Sequence, residues 1–155
     1  MNHLIKLAGF GLGILLTGQL YASAACPSLP HLGQETESIC ETEGKKYSIF
    51  EFSSVSCGYC RANIPRYQQL SAETADVAKA RYIFLEGADQ VQPFVKEHKI
   101  TLPVAIDDDE HVADTYEVNQ IPAMFILDEN KKVIYSHAGV LSQQDIRHIK
   151  ELLKK

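Results

Sequence analysis

The run Tyr47-Ser48-Ile49-Phe50-Glu51-Phe52-Ser53-Ser54-Val55-Ser56-Cys57-Gly58-Tyr59-Cys60-Arg61 joins an apolar stretch to two cysteines separated by two residues. Its first half is β-branched and aromatic and lies between Gly44 and a serine cluster, which reads as a largely buried strand. From Cys57 to Ser71, Cys60, Ile64, Tyr67 and Leu70 recur at helical spacing. Pro65 falls inside that helix, where a proline removes one hydrogen bond and kinks the helix rather than abolishing it. The cysteine pair therefore sits where a strand hands over to the opening turn of a helix.

The same alternation continues outward. Arg81–Leu85 reads as a strand, and 91–98 as a helix with Val91, Phe94 and Val95 on one face. A short apolar strand over 102–106 precedes an acidic turn, and 111–116 reads as a brief helix. Ala123–Leu127 and Val133–Ser136 form two strands joined by the polar turn Asp128-Glu129-Asn130-Lys131. Ser142, followed three residues later by Asp145, approximates a capping box for a last helix with Ile146, Ile149, Leu152 and Leu153 as its apolar stripe. Strand–helix alternation followed by a hairpin predicts an α/β protein with a central mixed β-sheet flanked by helices. A length of 155 residues suits one hydrophobic core, hence a single domain over 46–155. Residues 25–45 show neither helix nor strand period and read as an extended N-terminal arm.

The first 24 residues carry Lys6, an apolar stretch from Leu7 to Leu20 and then Tyr21-Ala22-Ser23-Ala24, the pattern of a cleaved secretory signal peptide. The apolar stretch contains four glycines and falls short of the roughly 20 residues a membrane-spanning helix needs. Lipid attachment at Cys26 is the alternative fate of this segment. Loss of one lysine and no acid on cleavage takes the formal net charge from −5 to −6. An acidic chain without tryptophan and without a Lys/Arg cluster argues against nucleic acid and anionic membranes. Proteins or small thiols remain as partners, and a periplasmic location follows from the leader.

Two cysteines at a helix start can close a disulfide, while the unpaired N–H groups and the dipole of the first turn favour a thiolate on the first sulfur. Thiol pKa values in such motifs fall to roughly 3.5–7.5, against roughly 8.5 for a free cysteine. Cys57 is thus the expected nucleophile that forms a mixed disulfide, and Cys60 the thiol that resolves it. A CxxC also occurs as half of a zinc site. Here the candidate ligands Cys26, Cys40, His31 and His137 supply no second paired motif, and no metal is expected.

Beyond these readings, the chain resembles the thioredoxin-like proteins, and among them the exported TlpA/ResA-type thiol-disulfide oxidoreductases, over roughly residues 45–154. Glu51 stands six residues before Cys57, where thioredoxins carry a buried acid, and Pro65 stands five after Cys60, where they carry the kinking proline. Ile121-Pro122 before the strand Ala123–Leu127 is similar to the family's cis-proline loop. Thr101-Leu102-Pro103-Val104, Val118-Asn119-Gln120 and Ser136-His137-Ala138-Gly139-Val140 follow the exported subfamily. The resemblance implies a thioredoxin fold and a redox-active CxxC. It implies a proton-shuttle role for Glu51, substrate pairing by Ile121 and Pro122, and a place for Tyr59 beside the substrate. No cofactor is implied. Three positions depart from the pattern: Ser56 replaces a tryptophan, Tyr59 a proline, and Asn63 a frequent glutamate, which leaves Glu51 as the candidate acid.

The expected function is therefore a monomeric periplasmic enzyme that reduces or isomerises protein disulfides, recharged by a membrane-bound reductant. Alternatives are a dithiol oxidase of the same fold and a thiolate copper chaperone. Cys26 and Cys40 either pair as a structural disulfide that ties down the arm, or remain as a lipidation site or free thiols. The acidic run Asp107-Asp108-Asp109-Glu110 lacks the alternating ligands of a calcium loop and reads as a solvated turn. His98, His111, His137 and His148 read as surface or packing residues.

Overall fold

The computed structural model describes residues 25–155, and the expected leader lies outside them. The chain forms β1 (Ser28–His31), β2 (Gln34–Ser38), β3 (Tyr47–Ser53), α1 (Gly58–Glu73), β4 (Ala78–Phe84) and α2 (Ala88–Glu97). It continues with β5 (Val104–Ile106), α3 (His111–Thr115), β6 (Ala123–Leu127), β7 (Val133–Ala138) and α4 (Gln143–Leu153). The seven strands make one sheet in the order β2-β1-β5-β4-β3-β6-β7. Pairs β3/β4 and β4/β5 are parallel, and the rest are antiparallel, so the sheet is mixed as expected.

Every residue of β3 and β4 is buried, the polar Ser48, Glu51, Lys79 and Arg81 included. The crossover between these parallel strands is α1. Side chains along a strand alternate between faces. Ile49 packs on one face with Tyr67 and Leu70 of α1 and with Ile146 and Ile149 of α4, while Phe50 and Phe52 pack on the other with Ile83, Val112 and Leu127. Glu51 lies between Phe50 and Phe52 and so falls on the α1 face. That single step of strand period places an acid inside an apolar layer beneath the cysteine helix.

Helix α1 runs unbroken through Pro65. The opening of α4 is a complete capping box, in which the Asp145 N–H donates to Ser142 Oγ at 3.1 Å and the Ser142 N–H to Asp145 Oδ2 at 2.7 Å. No helix among the described residues is long and apolar enough to cross a membrane.

Residues 25–45, read as an extended arm, are more regular than that reading. They form the β1–β2 hairpin, which adds an edge to the sheet through an antiparallel pairing of β1 with β5. β2 is almost wholly polar, so its strand state comes from partners far along the chain. The buried Arg81 guanidinium donates to the carbonyls of Ser38, at 2.5 Å, and Glu41. Lys79 Nζ pairs with Glu37 at 2.8 Å and Glu43 at 2.6 Å. β4 begins at Ala78, earlier than the expected Arg81, because it pairs in parallel with the whole of β3 from Tyr47 onward. Cys26 and Cys40 are joined as a disulfide with their Cα atoms 5.5 Å apart, which fastens the segment before β1 to the segment after β2.

The acidic run also departs from a solvated turn. Asp107 is buried, and its carboxylate accepts the N–H groups of Val112 at 3.2 Å and Ala113 at 2.9 Å, so it caps the short helix α3. Asp108 and Asp109 are exposed, as read.

Candidate active site

The two cysteines are brought together at the N-terminus of α1 as a disulfide pair with Cα atoms 5.2 Å apart. Cys57 is the N-cap: its backbone is extended, and its Sγ accepts the Cys60 N–H at 3.1 Å. The first turn of α1 contains no acidic residue, so nothing in it offsets the favourable field of the helix terminus on a Cys57 thiolate. Cys57 is half-buried, and Cys60 is 0% exposed. An incoming disulfide therefore meets Cys57, while Cys60 sits behind it within reach of the same sulfur.

The loop that precedes α1 is braced. The Glu86 carboxylate accepts the Val55 N–H at 3.1 Å and the Ser54 hydroxyl. Arg61 Nη1 donates to the Val55 carbonyl at 2.9 Å, and the Cys57 N–H donates to the Ser54 carbonyl at 3.3 Å. Sequence reading missed Glu86, since it lies 31 residues from Val55 and carries no local signal.

Across from Cys57, the Ile121–Pro122 peptide is cis, and the Ile121 carbonyl oxygen lies 3.9 Å from Cys57 Sγ. Gly139, with φ at +99°, donates its N–H to the Pro122 carbonyl at 2.8 Å. That backbone conformation favours glycine, and it ties the end of β7 to the proline loop. Tyr59, Gln120, Ile121, Gly139 and Val140 line an open cavity of about 410 Å³ beside the cysteines. Tyr59 is 73% exposed, an apolar ring presented to solvent at the mouth of the site.

Glu51 is 0% exposed. Tyr82 of β4 and Met124 of β6 stand opposite it in the sheet. Burial pushes its carboxyl up to about 8, against the opposing effect of a hydrogen bond from Asn63 Nδ2 to Glu51 Oε2 at 2.7 Å. Glu51 Oε1 is buried without a hydrogen-bond partner. The signal for Asn63 was present in the sequence, three residues after Cys60 within the stripe Cys60, Ile64, Tyr67. A polar residue in that stripe faces inward and needs a partner.

Among the described residues, the one cluster with metal-ligand character is Asp107, Asp109 and His111, on α3 and the turn before it. None of its members belongs to the cysteine site.

A mixed sheet with a helix-capping cysteine pair facing a cis-proline loop defines the class of thioredoxin-like thiol-disulfide oxidoreductases. The chain belongs to the AhpC/TSA family, whose model matches residues 23–136. It is similar to thiol-disulfide oxidoreductase ResA of Halalkalibacterium halodurans, 25% identical over 130 residues that cover 81% of this chain and 72% of the relative. Sporulation thiol-disulfide oxidoreductase A of Bacillus subtilis is 24% identical over 125 residues, covering 77% and 68%. The crystal structure of StoA from Bacillus subtilis shares the fold, with a TM-score of 0.68 at 24% identity over 83% of this chain and 96% of StoA.

Proposed function

We propose that the chain is an exported, monomeric thiol-disulfide oxidoreductase that reduces or isomerises disulfides of proteins in the periplasm. The observation that carries this reading is the asymmetry of the pair: a half-buried Cys57 at a helix N-terminus, facing the Ile121 carbonyl, in front of a fully buried Cys60. In the reduced protein the Cys57 thiolate attacks one sulfur of a client disulfide, and the other client sulfur leaves as a thiolate. Cys60 then loses its proton and attacks Cys57 Sγ. The client is released with both sulfurs reduced, and the Cys57–Cys60 disulfide holds the two electrons' worth of oxidation. A membrane-bound dithiol reductant returns the pair to the reduced state.

Glu51 serves as proton acceptor for Cys60. A carboxyl pushed up to about 8 is a far better match to a thiol than an ordinary carboxylate is, so it takes the Cys60 proton at a smaller cost in free energy. The Ile121 and Pro122 backbone pairs with an extended client segment, and Tyr59 packs on it. Export is supported by the leader pattern over 1–24 and by the Cys26–Cys40 disulfide, which persists in oxidising compartments.

The test is trapping in the exporting cell. A Cys60→Ser variant accumulates mixed disulfides through Cys57, and a Cys57→Ser variant accumulates none. Absence of adducts on the first variant would remove the catalytic reading. The reduction potential decides the direction: a value well below the oxidising end of the known range, about −120 mV, is expected, and one near that end would make the chain an oxidase.

A further inference from the structure

We propose that Asn63 is the positioning residue of the proton relay: it fixes the Glu51 carboxyl so that Oε1 is the oxygen that exchanges a proton with Cys60. The inference rests on the role given to Glu51 above and deepens it.

An asparagine amide can sit in either of two orientations, and here the surroundings choose. The Leu141 N–H can only donate, and it meets the Asn63 side chain at 2.8 Å, so the atom facing it is the carbonyl Oδ1. Nδ2 is thereby turned toward Glu51 Oε2, 2.7 Å away. An N–H aimed at Oε2 favours the carbonyl form of that oxygen, which accepts a hydrogen bond better than a carboxylic hydroxyl does. A proton on neutral Glu51 therefore resides on Oε1, which is buried and has no other partner. Asn63 is itself 1% exposed and has no freedom to flip without orphaning the Leu141 amide.

Cys60 precedes Asn63 by three residues and both are buried, so the thiol and the amide lie on one face of α1, the helix that covers Glu51. The other groups around Glu51 carry no competing charge. Tyr67 of α1 and Tyr82 of β4 are both raised by burial and by the Glu51 charge itself, which keeps the phenols neutral, and the Tyr67 hydroxyl is committed to the Arg81 carbonyl at 2.8 Å. Met124 of β6 does not titrate. Where the resembling subfamily often places a second carboxyl, this chain has an amide locked by a backbone donor from the segment that leads into α4. That segment follows Gly139 and Val140 of the client cavity, so the relay and the client site share one stretch of backbone.

The test is single-turnover reduction of insulin by the pre-reduced full mature chain as a function of pH. Wild type is expected to show a rate that rises through a limb near pH 8, and Glu51→Gln to lose that limb. If Glu51→Gln keeps the limb, the Glu51 reading itself falls. If Glu51→Gln loses it, Asn63→Ala should move it upward by about one pH unit, slowing the reaction at pH 7 by about tenfold. The double variant Glu51→Gln/Asn63→Ala should then be no slower than Glu51→Gln alone. A limb unmoved in Asn63→Ala, or an Asn63→Ala effect that persists in full on the Glu51→Gln background, overturns the proposal. Should Asn63→Ala not fold, the near-isosteric Asn63→Asp replaces it. That substitution keeps an acceptor for the Leu141 N–H but sets a second carboxyl against Glu51, so the limb should rise further, and an unmoved limb would again overturn the proposal.

Discussion

The Glu86 carboxylate accepts the Val55 N–H at 3.1 Å, which ties the segment after β4 to the loop that delivers Cys57 to its helix. The same carboxylate takes the Ser54 hydroxyl, and the Ser54 carbonyl takes the Cys57 N–H, so a chain of hydrogen bonds runs from Glu86 to Cys57. Glu86→Ala leaves two donors without their acceptor and should cost roughly 1–3 kcal/mol of stability. Backbone amide exchange at Val55 through Cys57 should speed up, and attack by Cys57 on a small disulfide should slow. Glu86→Gln retains one acceptor oxygen and should recover most of both effects. Equal behaviour of the two variants in denaturant melts and hydrogen exchange would show that the charge, not the acceptor, matters.

Glu51 makes stability depend on pH in a defined direction. Its folded-state pKa is raised above the ordinary 4.5 to about 8, so the native state holds a proton that the unfolded chain releases. The contribution is fully present below about pH 4.5 and is lost as pH rises through about 8. Stability of the oxidised protein, whose cysteines do not titrate, should therefore fall between those limits by an amount on the order of a few kcal/mol, since each pH unit separating the folded and unfolded pKa corresponds to roughly 1.4 kcal/mol. Glu51→Gln, which cannot ionise, should flatten the decline and be the more stable protein above pH 8. Urea unfolding at a series of pH values reads this directly, and parallel slopes for the two proteins would contradict a buried Glu51.

The parts of this fold that the sequence discloses are those whose environment is set locally or by burial alone. Ala123–Leu127 announces itself because a strand buried on both faces is apolar throughout, Tyr47–Phe52 because its aromatic and β-branched residues outweigh Ser48 and Glu51, and Ser142 with Asp145 because a helix cap is a contact across three residues. Cys57 and Cys60 carry their own spacing. By contrast, β2 reads Gln34-Glu35-Thr36-Glu37-Ser38, and nothing in that string requires a strand until Lys79 and Arg81 arrive from about 40 residues away. Asp107 in an acidic run looks solvated until the fold brings the amides of Val112 and Ala113 onto it. Asn63 is visible as a polar interruption of a buried stripe, yet its orientation is decided by the backbone N–H of Leu141. What escapes a reading along the chain is polar pairing at long range, which leaves no periodic trace.

That hairpin also supplies the sharpest separation of structure from chemistry in the molecule. The Cys26–Cys40 disulfide closes a loop with a sequence separation of 14, and the restriction it places on the unfolded chain is worth about 3 kcal/mol for a loop of that size. The Cys26→Ala/Cys40→Ala variant should lose about that much in chemical denaturation while still reducing insulin through Cys57. Arg81→Leu keeps the disulfide but takes the guanidinium donor from the Glu41 carbonyl and one of two donors from the Ser38 carbonyl, whose other is the Glu41 N–H, at a cost of roughly 1–3 kcal/mol. Both changes act on the same few residues around Cys40, so combining them should cost less than the sum of the two alone. If the double cysteine variant instead loses insulin reduction while remaining folded, Cys26 and Cys40 take part in the exchange, and the assignment of the chemistry to Cys57 and Cys60 alone would have to be abandoned.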